Sequence, residues 1–418
     1  MPDTPLLDEL AWRGLLHQHT EGLGKSLASR QVSAYCGFDP TASSMHVGNL
    51  IPVMGLMHLQ RAGHKPIALV GGGTGMIGDP SGKTAERQLN DAETVASNTA
   101  ALRRQLEHFL DFSGPAAAEM RDNADWLLPL GAIEFMRDIG KHFTINYMLA
   151  KESVQQRMDA GISYTEFSYM LLQAYDFREL FRRDGVTLQV GGSDQWGNIT
   201  AGLELIRRTE SGDVHAMTFP LVTNSSGTKF GKTESGSVWL DPDRTSPYQF
   251  YQFWINIDDR DVGRYLRFFT LLSREEVEEL DQQVAERPQA RSAQHALARD
   301  VTTRVHGARV AKVAEDVSTL LFAKGDPQLL STEALEALGR EVPFAEVAEV
   351  LNAVDALVAL GLVLSKGAAR RLVEQGGASV NGVRVSSATQ SLGEPLQGSY
   401  FLVKKGARDY GLLMVRSN

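Results

Sequence analysis

The residues most suited to chemistry begin with His46 and Gly48, which lie at the start of a helix predicted from about Val47. An apolar stretch ending at Tyr35 precedes them, so the local order is strand, long loop and helix. Free backbone N–H groups at a helix start attract anions, and a glycine lets a flat ligand lie on the backbone. The pattern predicts a nucleotide or phosphate contact, although a capping histidine and a packing glycine would look the same.

A second candidate for anion binding is the glycine-rich segment 71–87, which follows a strand predicted from Pro66 to Val70. Its glycines expose backbone N–H groups, and Lys83 and Arg87 share one helical face, which suits phosphate. A flexible loop with surface cations is the alternative. Asp79 is out of place among phosphate ligands unless it meets a cation, and the amino group of a second substrate would supply one.

A polar stripe marks the helix predicted over 163–177, which begins with a capping box. Tyr169, Gln173 and Asp176 are spaced to share one face of this otherwise apolar helix. A solvent-facing stripe is the usual meaning of such a pattern. The apolar flanking residues leave little room for an exposed face, so we expect a buried stripe that needs polar partners.

Two further loops complete the set. A strand over Val186–Val190 leads into a Gly-Gly segment with Asp194, which is placed to bind a ribose hydroxyl pair or to cap the next helix. A strand over Thr218–Val222 leads into a glycine- and hydroxyl-rich loop with Lys229 and Lys232, suited to clamp a leaving polyphosphate. In doubly wound sheets ligands bind beyond the carboxyl ends of the strands, so we expect one nucleotide-like pocket there.

These elements predict an α/β fold built on a Rossmann-like parallel sheet. We expect a catalytic domain over 1–240, a helical domain over 241–323, a linker over 324–350 and a small α+β domain over 351–418. Helix starts at Ser246 and Ser273 mark the helical region. In the last region a helix from Ser365 is followed by a hairpin with Asn381 and Gly382 at its turn.

Composition narrows the class of protein. A single cysteine, Cys36, excludes an internal disulfide and a cysteine-cluster metal site, which suits a reducing compartment. Neither a signal peptide nor an apolar stretch of membrane-spanning length is visible, so we expect a cytoplasmic protein without membrane contact. The net charge is −9, yet residues 351–418 carry eight Lys and Arg against four Asp and Glu. This basic region predicts a polyanionic partner.

The basic residues of that region concentrate on one predicted helix and the strands after it. We expect them to contact an RNA backbone, although ordinary surface charge is the alternative. The group is Lys366, Arg370, Arg371, Arg384, Lys404 and Lys405.

Over its whole length the sequence resembles bacterial class I tyrosyl-tRNA synthetases. His46-Val-Gly-Asn49 is similar to the His-Ile-Gly-His signature of that class, and Lys229-Phe-Gly-Lys-Thr233 to its Lys-Met-Ser-Lys-Ser loop. Asn49 replaces the second signature histidine, and its amide still donates a hydrogen bond. Phe230 and Gly231 replace the signature methionine and serine, and neither substitution removes a charge. Segments 35–41 and 191–198 are similar to stretches typical of the tyrosine enzyme. The last region is similar to the small αL-type RNA-binding domain of a small-subunit ribosomal protein.

The resemblance implies a tyrosine–tRNA ligase that forms tyrosyl-adenylate from L-tyrosine and ATP and then esterifies tRNA(Tyr) at its 3′ end. The residues it places at the phosphates are Thr41, His46, Lys83, Arg87, Lys229, Lys232 and Thr233. Those it places around tyrosine are Tyr35, Asp79, Tyr169, Gln173, Asp176 and Gln195. Those it places around the rest of ATP are Cys36, Gly37, Asp39, His46, Gly48, Asn49, Gly192, Asp194 and Lys232.

The resemblance also implies Mg²⁺ accompanying ATP, no protein-bound structural metal, an anticodon-side role for the helical region and a homodimer. An apolar group that includes Phe135, Phe143 and Met148 could be core or subunit interface. Tyr35 and Asp176 would form a buried pair that hydrogen-bonds the substrate phenol and is left unsatisfied by phenylalanine, which is a source of specificity. Two alternatives stay open: a synthetase for tryptophan, and a non-catalytic RNA-binding or splicing protein on a synthetase scaffold.

Overall fold

A computed structural model of the chain describes residues 5–81, 89–158, 161–225, 227, 230–233, 236–323, 325–349 and 352–416. For Ser153, Gln156, Lys232 and Thr233 only the backbone is described. The chain divides into two compact units, one formed by residues 1–245 and 257–297, the other by residues 246–256 and 298–418.

The strands of the described chain fall into three sheets. They are β1 (Gln18–His19), β2 (Ser33–Phe38), β3 (Lys65–Val70), β4 (Glu119–Asp122), β5 (Leu188–Gly192), β6 (His215–Phe219), β7 (Lys232–Thr233), β8 (Gly236–Ser237), β9 (Phe344–Val347), β10 (Ala378–Val380), β11 (Val383–Arg384), β12 (Tyr400–Lys405) and β13 (Asp409–Val415).

The helices alternate with these strands in the first unit and dominate the middle of the chain. They are α1 (Pro5–Trp12), α2 (Leu23–Ser29), α3 (Leu50–Arg61), α4 (Ala92–Leu106), α5 (Ala124–Leu127), α6 (Ala132–Glu134), α7 (Ile145–Leu149), α8 (Glu152–Met158), α9 (Tyr164–Asp184), α10 (Trp196–Glu210), α11 (Pro247–Ile255), α12 (Asp259–Phe269), α13 (Arg274–Glu286), α14 (Ser292–His306), α15 (Ala308–Phe322), α16 (Thr332–Gly339), α17 (Ala353–Ala359) and α18 (Lys366–Glu374).

The first unit is built on a sheet with the strand order β1-β6-β5-β2-β3-β4. Strands β6, β5, β2, β3 and β4 pair in parallel, and β1 joins β6 as an antiparallel edge. The predicted Rossmann-like parallel sheet is therefore confirmed. The fourth expected strand lies three residues earlier than predicted, because Pro220 follows Phe219 and proline has no N–H to donate to a ladder.

Close packing of helix on sheet sets the position of the nucleotide-side elements. A Cβ added to Gly55 of α3 would lie 2.0 Å from the ring of Phe219 on β6, so only glycine allows this approach. Asn49 precedes α3, and a short 3-10 turn, Val47–Asn49, leads into it. The start of α3 thus lies beyond the carboxyl end of β2, as the sequence predicts.

The second unit holds a five-stranded sheet with the order β11-β10-β12-β13-β9. The residues expected to form a linker instead contribute α16 and β9. Ser331 caps α16, whose Leu335 and Leu338 are fully buried, and β9 pairs in parallel with β13. The glycine and prolines that suggested a linker mark turns between packed elements, which local composition does not distinguish from an open segment.

The predicted hairpin of the second unit is confirmed. Asn381 and Gly382 connect β10 to β11 with φ angles of 49° and 83°, as a type I′ turn requires. Helix α18 begins at Lys366 with the Ser365 side chain accepting a hydrogen bond from the N–H of Ala368. No helix in the described ranges combines the length and apolarity that crossing a bilayer requires.

Candidate active site

Tyr35 on β2 and Asp176 on α9 are both buried in the first unit. Tyr35 is 1% exposed, and its hydroxyl has no hydrogen-bond partner among the described residues. Both carboxylate oxygens of Asp176 are occupied, since Trp126 Nε1 donates to Oδ1 at 2.7 Å and Asn123 Nδ2 donates to Oδ2 at 2.9 Å. The donors that hold the carboxylate, Asn123 and Trp126, come from the segment that follows β4.

Burial shapes the ionisation of both groups. It raises the pKa of the Asp176 carboxyl to about 8, although the hydrogen bonds from Asn123 and Trp126 oppose the shift. It also raises the pKa of Tyr35 well above its usual value, and the nearby Asp176 adds to this shift. The phenol of Tyr35 is therefore neutral across the physiological range, and its proton is available for a hydrogen bond.

Sequence reasoning missed Asn123 and Trp126. Asn123 is 1% exposed and also accepts a hydrogen bond from the backbone N–H of Gly73 at 2.7 Å. It follows β4 as Asp39 follows β2, so the rule that ligands bind beyond strand ends would have pointed to it. The strand has no apolar run in the sequence to reveal it, because three of its four residues, Glu119, Arg121 and Asp122, are charged and all four are half-buried.

Asp39, which follows β2, is hydrogen-bonded to side chains of two other elements. Its Oδ2 accepts a hydrogen bond from the Tyr169 hydroxyl at 2.8 Å, and its Oδ1 accepts one from Thr74 Oγ1 at 2.8 Å. A Cβ on Gly71 would lie 2.2 Å from Oδ1, so glycine is required there. Burial raises the pKa of Tyr169 well above its usual value, and the charges of Asp39 and Asp79 add to the shift.

The predicted polar stripe of α9 meets a second polar group. Gln195 Nε2 donates to Asp79 Oδ2 at 2.6 Å, and Asn198 Nδ2 donates to Gln173 Oε1 at 3.1 Å. Asn198 is 3% exposed, and sequence reasoning missed it as a site residue, although its place three residues after Gln195 on α10 was a signal. The structure thus brings together the predicted residues Asp79, Gln173 and Gln195.

At the other end of the site His46 caps the turn that leads into α3. The Gly48 N–H donates to His46 Nδ1 at 3.0 Å, and the His46 N–H donates to Asn49 Oδ1 at 2.9 Å. Because Nδ1 accepts, the ring proton of neutral His46 is assigned to Nε2. A Cβ on Gly48 would lie 2.8 Å from the ring, so the capping and packing roles considered for these residues are real.

Gly231 of the predicted lysine loop and Val238, which follows the loop, pack against this turn. Gly231 has φ +80°, and a Cβ there would lie 2.6 Å from Val47 Cγ2. The Val238 N–H donates to the Gly231 carbonyl at 3.1 Å, and the Val47 N–H donates to the Val238 carbonyl at 3.0 Å. The backbones of Lys232 and Thr233 form β7, paired with β8. Lys83, Arg87 and Lys229 lie outside the described residues.

Phe230, which departs from the signature methionine, is an anchor for this segment. It is 7% exposed and stacks on Phe269 of α12 with ring centroids 5.0 Å apart. The aromatic ring of Phe230 therefore stands where the signature has a methionine thioether, and it packs tightly on its neighbour.

A small cavity of about 80 Å³ opens beside His46. This is well below the roughly 300–1,000 Å³ of a whole small-molecule site, so it suits one end of a ligand. Its lining residues include predicted ATP and phosphate contacts and are Phe38, Asp39, Thr41, Ala42, Ser44, Met45, His46, Asn49, Leu102 and Trp239.

The remaining predicted ATP contacts lie at the ends of β2 and β5. Cys36 is 2% exposed, and burial raises the pKa of its thiol to about 12, so it stays protonated. A Cβ on Gly37 would meet nothing within 4 Å, whereas one on Gly192 would lie 2.4 Å from Asp194 Oδ1. Helix α10 begins after Gln195, so Asp194 is not its N-cap residue. Across the described ranges, no three His, Cys, Asp or Glu side chains converge as a metal site.

In the second unit the predicted basic residues divide into two groups. Lys366 pairs with Asp355 at 2.7 Å, Lys405 donates to the Leu362 carbonyl at 2.9 Å, and Lys404 lies over the ring of Tyr410. The arginines are exposed, and no carboxylate of the described residues forms an ion pair with them; they are Arg370, Arg371 and Arg384.

Comparison with protein families gives two matches that together span most of the chain. The model of the tRNA synthetases class I (W and Y) matches residues 27–323. The model of the tyrosine–tRNA ligase SYY-like C-terminal domain matches residues 334–413.

Individual relatives match over nearly the full length. The chain is 54% identical over 417 residues to the tyrosine–tRNA ligase of Anaeromyxobacter dehalogenans (strain 2CP-1), covering 98% of this chain and 99% of that protein. It is 54% identical over 419 residues to that of Streptomyces griseus, covering 99% of each. A crystal structure of a C-terminally truncated mitochondrial tyrosyl-tRNA synthetase from Aspergillus nidulans superposes with a TM-score of 0.69 at 31% identity, covering 76% of this chain and 94% of that one.

Proposed function

Because this chain belongs to the class I tRNA synthetase family of the tryptophan and tyrosine enzymes, we infer that it is a tyrosine–tRNA ligase. In the first step the carboxylate of L-tyrosine attacks the α-phosphorus of ATP, and pyrophosphate leaves. In the second step a hydroxyl of the 3′-terminal adenosine of tRNA(Tyr) attacks the tyrosyl carbonyl, and AMP leaves. A carboxylate needs no base to activate it, so catalysis of the first step is positioning and stabilisation of phosphate charge.

The observation that carries the tyrosine assignment is the buried hydroxyl of Tyr35, which has no hydrogen-bond partner in the described part of the chain. A buried hydroxyl without a partner costs about 1–3 kcal/mol, so a ligand that supplies the partner gains that energy on binding. The phenol of tyrosine can accept from Tyr35 and donate to Asp176, whose orientation is fixed by Asn123 and Trp126. Phenylalanine can do neither. The other end of the substrate, its α-amino group, would contact Asp79, Tyr169 and Gln173, and its carboxylate would lie near Gln195.

Asp39 supports this placement of the amino group. Its carboxylate fixes the hydroxyl of Tyr169, and an ammonium group close by would balance the negative charges of Asp39 and Asp79. We therefore assign Asp39 to the tyrosine side of the boundary with ATP.

ATP would lie along the edge formed by the ends of β2 and β5 and the start of α3. Its ribose would contact Cys36, Asn49 and Asp194. Its base and the atoms that face the backbone would contact the glycines Gly37, Gly48 and Gly192. Mg²⁺ would enter with the nucleotide as part of the substrate. The phosphates would meet Thr41 and His46 in the small cavity. The cations assigned by resemblance to this step are Lys83, Arg87, Lys229 and Lys232, with the hydroxyl of Thr233.

The second unit would bind tRNA. Exposed guanidinium groups without carboxylate partners suit a phosphate backbone, and Arg370 and Arg371 are neighbours on α18. We propose that 1–240 form the catalytic domain, that 241–323 lie on the anticodon side and that 351–418 form an αL-type RNA-binding domain. Their RNA-binding set would be Lys366, Arg370, Arg371, Arg384, Lys404 and Lys405.

A homodimer in the cytoplasm is the assembly we propose. Exposed apolar side chains cluster in sequence near the predicted interface group, among them Ile133 at 72%, Met136 at 51% and Ile145 at 60% exposure. Within that group Phe143 and Met148 are buried in the core of the unit instead. Apolar surface of this kind is typical of a subunit contact.

The function is tested by charging a tRNA(Tyr) transcript with labelled L-tyrosine. We expect ATP-dependent formation of acid-precipitable tyrosyl-tRNA, and the same reaction with a tRNA(Trp) transcript and tryptophan as the control. Charging of tRNA(Trp) with tryptophan in place of tyrosine would contradict the assignment.

A further inference from the structure

The turn 239–245 lies directly against the wall of the cavity beside His46. The Leu240 N–H donates to the Met45 carbonyl at 2.9 Å, and the Asp241 N–H donates to Ser44 Oγ at 3.1 Å. Within the turn the Trp239 N–H donates to Thr245 Oγ1 at 3.0 Å. The backbone of this turn is therefore fixed to two residues that line the cavity.

Arg244 belongs to this turn and contacts Trp239, which lines the cavity, and Ser43, which adjoins the lining residues Ala42 and Ser44. Its guanidinium carbon lies 3.4 Å from the centre of the Trp239 ring, and its Nη1 lies 3.5 Å from Ser43 Oγ. Trp239 is itself a wall of the cavity and packs edge-on against His46 with ring centroids 6.0 Å apart. The stacked ring thus orients the guanidinium toward the segment that carries Thr41 and His46.

Arg244 has no ion-pair partner among the described residues. No carboxylate of the described chain lies within ion-pair distance of it, although most arginines of the first unit have such partners. The cavity does include the carboxylate of Asp39, but its oxygens are engaged by Tyr169 and Thr74. A stacked arginine beside a hydroxyl and an imidazole N–H is an arrangement that binds phosphate.

We propose that Arg244 binds the terminal phosphates of ATP, which are the pyrophosphate that leaves when the adenylate forms. This inference rests on the proposed function and adds a residue that neither signature sequence contains. Arg244 would act with Thr41 and His46 at the small end cavity, and it would stabilise the charge that accumulates on pyrophosphate as the bond to the α-phosphorus breaks. No proton moves to or from the guanidinium, which stays charged throughout.

A purely structural role for Arg244 makes different predictions. If it only supports Trp239, an uncharged side chain with a similar stem, Arg244→Met, would preserve the packing and the activity. If it binds phosphate, Arg244→Met loses pyrophosphate affinity. Arg244→Lys keeps the charge but loses the planar guanidinium, so its pyrophosphate affinity should lie between those of the wild-type enzyme and Arg244→Met.

The test uses the full-length enzyme loaded with tyrosyl-adenylate, and it measures the rate of ATP formation against pyrophosphate concentration. We expect Arg244→Met to raise the dissociation constant of pyrophosphate by about tenfold, from the loss of one charge-assisted contact, with the dissociation constant of tyrosine unchanged. Arg260→Met is the matched control, because Arg260 is 70% exposed and pairs with Asp258 elsewhere in the unit.

Three results decide the matter. Unchanged pyrophosphate affinity in both Arg244 variants would overturn the inference while leaving the ligase assignment intact. A wild-type enzyme that forms no adenylate from tyrosine and ATP would instead overturn the proposed function. If Arg244→Met lowers the unfolding temperature, Arg244→Lys at wild-type stability still decides: raised pyrophosphate dissociation supports the inference, and wild-type affinity overturns it.

Discussion

Replacing Tyr35 by phenylalanine should change stability and tyrosine binding in opposite directions. The hydroxyl is buried and has no partner among the described residues, so the unliganded protein bears its desolvation cost. Removing it should leave the free energy of unfolding unchanged or raise it, by at most about 1–3 kcal/mol. The change from tyrosine to phenylalanine removes no carbon, so no cavity of a methyl group or more is created.

Binding of the substrate should weaken at the same time. If the hydroxyl donates to the phenol of tyrosine, its loss costs about 0.5–1.5 kcal/mol, which raises the dissociation constant about 2- to 12-fold. Binding of phenylalanine should not weaken, because that amino acid never formed the bond. The preference for tyrosine over phenylalanine should therefore narrow by the same factor.

The assay is equilibrium titration with each amino acid, combined with thermal unfolding of the unliganded protein. Tyr251→Phe is the control, since Tyr251 is fully buried in the second unit and should leave tyrosine affinity unchanged. A Tyr35→Phe protein that is less stable by more than about 1 kcal/mol, with unchanged tyrosine affinity, would refute the reasoning. It would mean that the hydroxyl is paired inside the protein and not with the substrate.

Three further predictions follow from the geometry. Burial raises the pKa of Asp176 to about 8, against about 3.9 for an unfolded aspartate, so its contribution to stability is complete at low pH and is lost as pH rises through 8. The free energy of unfolding, measured in urea from pH 5 to 8, should therefore fall less steeply for Asp176→Asn than for the wild-type protein. Parallel curves of this free energy against pH would contradict the prediction. Gly231→Ala should lower the kcat of adenylate formation more than Gly227→Ala does. Both glycines have φ +80°, but only a Cβ at position 231 would contact Val47. Equal losses of kcat would show that backbone strain alone matters. Reversing the charges of Arg370 and Arg371, the exposed arginines of α18, should weaken tRNA charging and reduce its salt dependence. Pyrophosphate exchange should stay unchanged, and loss of exchange would show that the region acts in the first step.

Much of the fold could be predicted because its signals are local. The parallel strands other than β4 are short, mostly apolar runs that precede polar or glycine-rich loops. Ser246, Ser273 and Ser365 cap helices at the positions their sequence indicates. The hairpin at Asn381 and Gly382 follows from the φ angles that its turn demands.

The rest depended on contacts that the sequence does not encode locally. β4 is too polar to be recognised as a strand, so Asn123 and Trp126 could not be connected to Asp176, which is about fifty residues away in the chain. Residues 325–349 contain turn-forming residues but pack through Leu335 and Leu338 into a core formed with the C-terminal strands. Because α16 packs into that core and β9 pairs with β13, a chain cut near residue 355 would expose both elements, so charge reversal is the cleaner test of tRNA binding.

Asp39 illustrates the same limit inside the site. Its position after β2 predicted a ligand contact. Because tyrosine and ATP would both bind beyond the strand ends, that position does not distinguish a contact with tyrosine from a contact with ATP. The hydrogen bonds from Tyr169 and Thr74 are what support our proposal that Asp39 faces tyrosine.

The measurement that tests the central claim most directly is amino-acid-dependent exchange of labelled pyrophosphate into ATP, with tyrosine, tryptophan and phenylalanine compared on the same preparation. The structure predicts rapid exchange with tyrosine and far slower exchange with the other two, because only a phenol satisfies both Tyr35 and Asp176. Exchange that is equal with phenylalanine, or that requires tryptophan, would contradict the account.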